Sequence, residues 1–359
     1  MKKIENTTFY STKLGELPKG CKMCVKGEKL VLYITGICPR SCWYCPLSNR
    51  RKDKDVIFVN EWQTDQKEDL IKEVKLSSAK GAGITGGDPL SRLKRTIEYI
   101  KLLKKEFGKK FHIHLYTSFN FATKDNLEQL YNAGLDEIRF HADLDNSKLW
   151  KNIENAIKFN WTIGLEIPVI PKKKKEILKI CDYFNKKIEF LNLNEFEISD
   201  LNSDEMTKHG YEMKTDISHG IEGSEQTANQ ILEYVQKNNL NFNVHYCSSK
   251  LKDKVQMQNR FKLRAKNIKT KYDIITDEGM LLRGVIYTKE NTIKSLNKAK
   301  IMLEEEGLEI TIDKKKQRLI TYPEHVEQFA NTLKELDLIP VISEEDPTVE
   351  NFEVNKDYL

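Results

Sequence analysis

Apolar residues along this chain fall into two alternating rhythms. Short β-type runs occupy 30–34, 82–85, 111–117, 137–142, 162–169, 189–194 and 241–246. Between them lie longer runs with apolar residues every three or four positions, at 64–80, 91–107, 124–133, 147–158, 174–187 and 225–238. Strands alternating with helices of this length predict parallel βαβ units. Six or seven such units from one sheet make a full or partial (β/α) barrel. In such barrels ligand sites lie at the C-terminal ends of the strands.

Beyond residue 250 the rhythm changes. A basic stretch containing Arg260, Lys262, Arg264 and Lys266 has helical spacing and reads as a cationic face. Then come a strand (272–287), a helix (292–306), two strands (308–312, 317–321), a helix (323–337) and a strand (339–343). That βαββαβ order predicts a small ferredoxin-like module. Gly279 marks a turn that makes its first strand a hairpin. The acidic end, 344–359, reads as an extended tail. The chain therefore divides into a lead-in (1–28), an α/β barrel (29–250), and a basic helix with an α+β module (251–359).

Composition narrows the class. With 39% hydrophobic residues, the 359-residue chain can build a sizeable core, and 31% charged residues suit a water-exposed surface. No stretch approaches the roughly 20 apolar residues of a membrane span. The start, MKKIENTTFY, lacks the apolar run of a secretory signal. Seven cysteines are an odd number, which favours reduced thiols and a cytoplasmic location over a disulfide framework. A net charge of +5 is too mild to demand a polyanionic partner.

The chemistry concentrates just past the first strand, in KLVLYITGICPRSCWYCPLS (29–48). Cys38, Cys42 and Cys45 are spaced for one loop to wrap a metal cluster, since thiolates are the usual iron–sulfur ligands. Zinc prefers four protein ligands, often in paired C-x2-C spacing, and fits three thiols poorly. A [4Fe–4S] cube held by three thiolates leaves one iron open. This C-x3-C-x-aromatic-C pattern, with Tyr44 as the aromatic, resembles the radical S-adenosylmethionine (SAM) superfamily. The resemblance implies that the open iron chelates SAM. An electron, from a donor such as ferredoxin or flavodoxin, would then yield methionine and a hydrogen-abstracting 5′-deoxyadenosyl radical. The lead-in and cluster loop also resemble archaeal proteins related to glycyl-radical-enzyme (pyruvate formate-lyase) activases.

Gly86-Gly87-Asp88-Pro89 ends the second strand. Two glycines let backbone pass close to a ligand, and exposed amides plus a carboxylate can meet an ammonium group. The resemblance implies that Gly86, Gly87 and Asp88 hold the amino group of SAM, with aspartate in place of the usual glutamate. Later strand ends offer Thr117, Ser118, His141, Asp143, Glu166, Asn192 and Asn194, of which Thr117, His141, Glu166 and Asn194 are candidates for SAM. The glycine-punctuated stretch 200–224 reads as a lid over substrate.

Cys21, Cys24, His245 and Cys247 form a second group, suited to zinc or to an auxiliary iron–sulfur cluster. Cys181, on an apolar helix face, reads as core. The substrate stays open among RNA, a protein and a small molecule. A non-catalytic iron–sulfur carrier is the rival class, but it explains neither the missing fourth thiolate nor the Gly-Gly-Asp-Pro segment.

Overall fold

The structure is a computed structural model that describes residues 2–215 and 218–359. Residues 216 and 217, within the expected lid, lie outside it. The chain divides into two compact units, Met1–Lys75 with Ala79–Met257, and Leu76–Ser78 with Gln258–Leu359.

In the first unit seven strands run parallel and pair in chain order: β1 (Lys29–Tyr33), β2 (Gly81–Thr85), β3 (His112–Ser118), β4 (Glu137–His141), β5 (Thr162–Val169), β6 (Phe190–Glu195) and β7 (Asn243–Cys247). Antiparallel hairpins extend both edges. Phe58–Val59 and Trp62–Gln63 pair beside β1, while Ile4–Asn6 and Thr12–Leu14 pair beside β7. The resulting 11-stranded sheet is open, a partial barrel. The lead-in is thus no separate segment: its first half is sheet edge, and its second half is the helix α1 (Lys19–Val25).

That helix reveals how far the sheet curls. It packs on β1, β2 and β3. Gly20 N donates to Glu137 on β4 at 3.4 Å, and Cys21 Sγ accepts from Asn192 on β6 at 3.2 Å. From β1 to β6 is five strand spacings, about 24 Å if flat, whereas a helix is only about 10 Å wide. The sheet must wrap round α1. Gly20 permits the close fit, because a Cβ there would come within 2.7 Å of His114 Nδ1.

The two faces of this sheet differ. Outward residues such as Leu30, Leu32, Ile113, Leu115, Ile138, Phe140, Leu165, Leu191 and Leu193 form the apolar core with the helices. Cys181 belongs to that core, as expected. The alternate positions, facing α1, are largely polar. Parallel strands are usually apolar on both faces, so the polar set marks an interior built for something other than packing. The expected helix at 147–158 shrinks to a 3-10 turn, Trp150–Asn152, and one α-turn, Ile153–Ala156.

In the second unit β8 (Leu281–Thr288), β9 (Thr311–Asp313), β10 (Arg318–Thr321) and β11 (Leu338–Glu345) form an antiparallel sheet ordered β9-β10-β8-β11, the order of a ferredoxin-like βαββαβ module. A hairpin from Ile274–Ile275 to β8 turns at Gly279, whose φ is +89°. The end of the chain is not an extended tail: β12 (Glu353–Tyr358) adds a fifth strand beside β11. The helix expected over 323–337 breaks at Phe329 into Pro323–Gln328 and Ala330–Glu335. The basic helix, Gln258–Ile268, is not a wholly solvated cationic face, because Phe261, Arg264 and Ala265 are buried.

Candidate active site

The cysteine loop leaves the C-terminal end of β1 and is pinned at its base. Gly36 N donates to Lys54 O at 2.7 Å, and Asp53 N returns a bond to Gly36 O at 3.2 Å. Thr35 Oγ1 donates to Asp55 at 2.8 Å, and Asp55 pairs with Arg92 and Arg95. Arg95 also donates to Ile34 O. Those cations and hydrogen bonds outweigh desolvation and hold the Asp55 carboxyl well below its usual range, first through Arg95. Cys38, Cys42 and Cys45 are all half-buried on this one loop. Burial pushes the Cys38 thiol up to about 11 and raises Cys42 as well.

Gly86 to Asp88 clamps the loop from below. Gly87 N donates to Thr35 O at 2.7 Å and Asp88 N to Ile37 O at 2.9 Å. A Cβ on Gly87 would lie 2.5 Å from Gly36 O and 2.7 Å from Ile37 O. The Asp88 carboxylate does not face outward to a ligand as expected. It is 1% exposed and accepts from Leu90 N, Thr117 Oγ1, Ser118 N and Ser118 Oγ at 2.7–3.1 Å. Desolvation still wins, and its pKa is raised. Thr117 is likewise spent on Asp88. The Gly86 and Gly87 carbonyls accept nothing among the described residues, so the free groups of this segment are main-chain ones.

Beside the loop opens a cavity of about 410 Å3, lined by Arg40, Cys42, Tyr44, Asn120, His141 and Asp143 among others. Arg40 pairs with Asp143 at 3.0 Å and donates to His141 O. The Tyr44 hydroxyl meets His141 Nε2 at 3.1 Å. Desolvation, then Arg40, pushes His141 down to about 4, so the imidazole is neutral near pH 7. The stretch 200–224 contains a helix, Ser203–Lys208, and sends His209 and Tyr211 onto Trp43 at 4.3 and 6.0 Å between ring centroids. Asn202 donates to Tyr44 O. This segment braces the cysteine loop, a role the lid reading did not include.

Below the loop the inward face forms one network. Glu166 accepts from Arg139 at 2.8 Å and from Asn192 and Asn194 at 3.0 Å each. Burial alone would raise Glu166, but Arg139 and the two amides hold it below its usual value. Arg139 also pairs with Glu137 and Tyr116, and Lys29 reaches His114 and Tyr116 at 3.4 Å. A three-thiol loop, a glycine clamp and a polar pit therefore meet at one rim.

A family model described as the Radical SAM superfamily matches residues 32–189. A protein of Methanocaldococcus jannaschii, provisionally named a glycyl-radical enzyme activating enzyme, is 41% identical over 360 residues, covering 97% of this chain and 94% of its own. The chain belongs to the radical SAM superfamily. Among solved structures, SuiB of Streptococcus suis bound to SAM has a TM-score of 0.43 at 13% identity, covering 62% of this chain and 50% of its own. Coproporphyrinogen III oxidase (HemN) of Escherichia coli scores 0.38 at 10% identity over 62% of this chain and 56% of its own.

Membership makes the chain a radical SAM enzyme and implies a [4Fe–4S] cluster and SAM. The donor set fits: three partly exposed thiols on one pinned loop, with glycine backbone pressed against its root. Burial raises Cys38 and Cys42, so metal charge must deprotonate those two thiols. Arg139, Lys29, Tyr116, His114 and Arg40 escaped the sequence reading of this radical SAM site. For His114, Tyr116 and Arg139 the signal was present, as polar residues at alternate positions of HIHLYT (112–117) and EIRFH (137–141).

The second cysteine group is only partly assembled. Cys24 Sγ contacts Gln256 Oε1 at 3.0 Å, and Gln256 Nε2 contacts Cys247 Sγ at 3.7 Å. Cys21 and Cys24 both lie near enough to oppose ionisation of Cys247, after burial itself. His245 turns its Nε2 to Ser11 Oγ at 3.2 Å, and its buried Nδ1 has no hydrogen-bond partner. Among the described residues no three ligating side chains stand within range of a single ion, at this group or at Cys38, Cys42 and Cys45.

Proposed function

We propose that this radical SAM enzyme generates a glycyl radical on a partner protein. The single observation behind the substrate class is the 41% identity, end to end, with the relative named for that activation. When bound, the cluster and SAM supply the one-electron cleavage that produces a hydrogen-abstracting radical, with ferredoxin or flavodoxin as the class of donor. Cys38, Cys42 and Cys45 hold the cluster. The Gly86 and Gly87 carbonyls would accept from the SAM ammonium, with Asp88 and Thr117 positioning that segment from beneath. Tyr44 and His141 border the nucleoside side, next to the 410 Å3 cavity. Glu166 and Asn194 face the sugar and carboxylate from the inward wall, held by Arg139 and Asn192.

The chain's own residues also govern water and protons. Trp43, Phe196 and Tyr211 wall the loop with aromatic surface. A neutral His141 holds the Tyr44 hydroxyl in place without adding charge. The test is reconstituted protein with dithionite and SAM. Release of 5′-deoxyadenosine supports the reading, and a non-catalytic carrier would release none. Adding a glycyl-radical enzyme should then produce its glycyl radical by electron paramagnetic resonance (EPR). If 5′-deoxyadenosine forms but no tested partner gains a radical, the enzyme class stands and the substrate class falls.

A further inference from the structure

We infer that Cys21, Cys24 and Cys247 hold a second iron–sulfur cluster inside the curled sheet, apart from the radical-generating loop. The first argument is convergence. Cys21 and Cys24 are three residues apart on α1, so they share a face of that helix. Cys247 ends β7. The three come from opposite ends of the unit's sequence, yet Gln256 touches Cys24 with one end of its amide and Cys247 with the other. Gln256 sits on a π-helix, Lys252–Met257. Such segments are rare and concentrate at functional sites.

The second argument is charge. Lys29 reaches inward with no carboxylate in ion-pair range among the described residues. Its polar contacts are His114 and Tyr116. Arg139 and Lys252 also point inward, but Glu137, Glu166 and Glu197 accompany them. An inward-pointing cation without a counter-ion is costly. A thiolate-ligated cluster carries net negative charge and would offset it.

The third argument separates a cluster from a single zinc ion. Thiolates around zinc each lie about 2.3 Å from the metal, which draws the sulfurs against one another. Among the described residues no three ligating side chains lie within range of a single ion, and a cube does not require that, because each thiolate binds a different iron. His245 Nδ1, 2% exposed and unpartnered two residues before Cys247, stands ready as a fourth donor. Its Nε2 contact with Ser11 is the orienting bond that ligating histidines usually have. Assembly from two ferrous and two ferric ions with four sulfides gives the 2+ cube with no net electron transfer, while each cysteine forms one S–Fe bond and releases its thiol proton to solvent.

The test removes the first cluster and counts what remains. The full chain carrying C38A, C42A and C45A, reconstituted with iron and sulfide, should retain about four irons and four sulfides. Its EPR signal should not respond to SAM. Adding C21A, C24A and C247A should bring iron to zero. Because either variant could misfold, Mössbauer and sulfide analysis of the intact reconstituted protein is the parallel measure, with about eight irons expected. An iron-free loop variant with native circular dichroism, about four irons in the intact protein, or one zinc per chain would each overturn the inference.

Discussion

Asp88 shows how a recognised motif can be legible while its working atoms are not. The spacing Gly-Gly-Asp-Pro after the second strand marked a site. The sequence could not say that Thr117 and Ser118, on the next strand, would claim the carboxylate. Each carboxylate oxygen of Asp88 accepts from one N–H and one O–H, so replacing Asp88 with Asn turns a donor toward one such pair. With each buried unpaired group costing about 1–3 kcal/mol, D88N should lower stability by about 3 kcal/mol. Thermal unfolding of the apo protein checks this, and an unchanged midpoint would mean the carboxylate is not structural. Gly87→Ala presses a Cβ onto two backbone oxygens that cannot rotate away. It should cost about 1–3 kcal/mol and sharply reduce iron loading, measured by iron per chain, while far-UV circular dichroism stays native.

At the scale of elements, two supports deserve separate tests. Trp43 lies under His209, Tyr211 and Phe196, so W43A should cost about 3–4 kcal/mol. Iron retention during gel filtration should fall with it, whereas a pure lid over substrate would leave retention unchanged. The bracing role was not legible because polar, glycine-punctuated sequence does not reveal which aromatic residue it will cover. In the second unit, Glu345 accepts from buried Arg318 and faces Arg283 and Lys316. Burial would raise its carboxyl, but these cations hold it down to about 2. A depressed acid stabilises fully above its ordinary value of 4.5 and loses that contribution as pH falls towards about 2. The module should therefore lose about 2 kcal/mol across that window after solvent screening. In E345Q an acid titration of its unfolding free energy should be flatter there.

For the molecule as a whole, strand order was readable because seven alternating strands and helices leave few topologies. The edge hairpins were not, since two- and three-residue strands carry no periodicity. Nor was β12, whose polar, acidic residues pair through backbone that any side chain can offer. The interior was half-legible: alternation set Asn192 and Asn194 on one face, but not that α1 would bring Cys21 to them. The decisive measurement is EPR of anaerobically reconstituted, reduced protein before and after SAM is added. A cluster held by three thiolates should change its spectrum on binding SAM, and the C45A variant should lack that response. A wild-type spectrum left unchanged by saturating SAM would contradict the assignment of Cys38, Cys42 and Cys45 as an open cluster site.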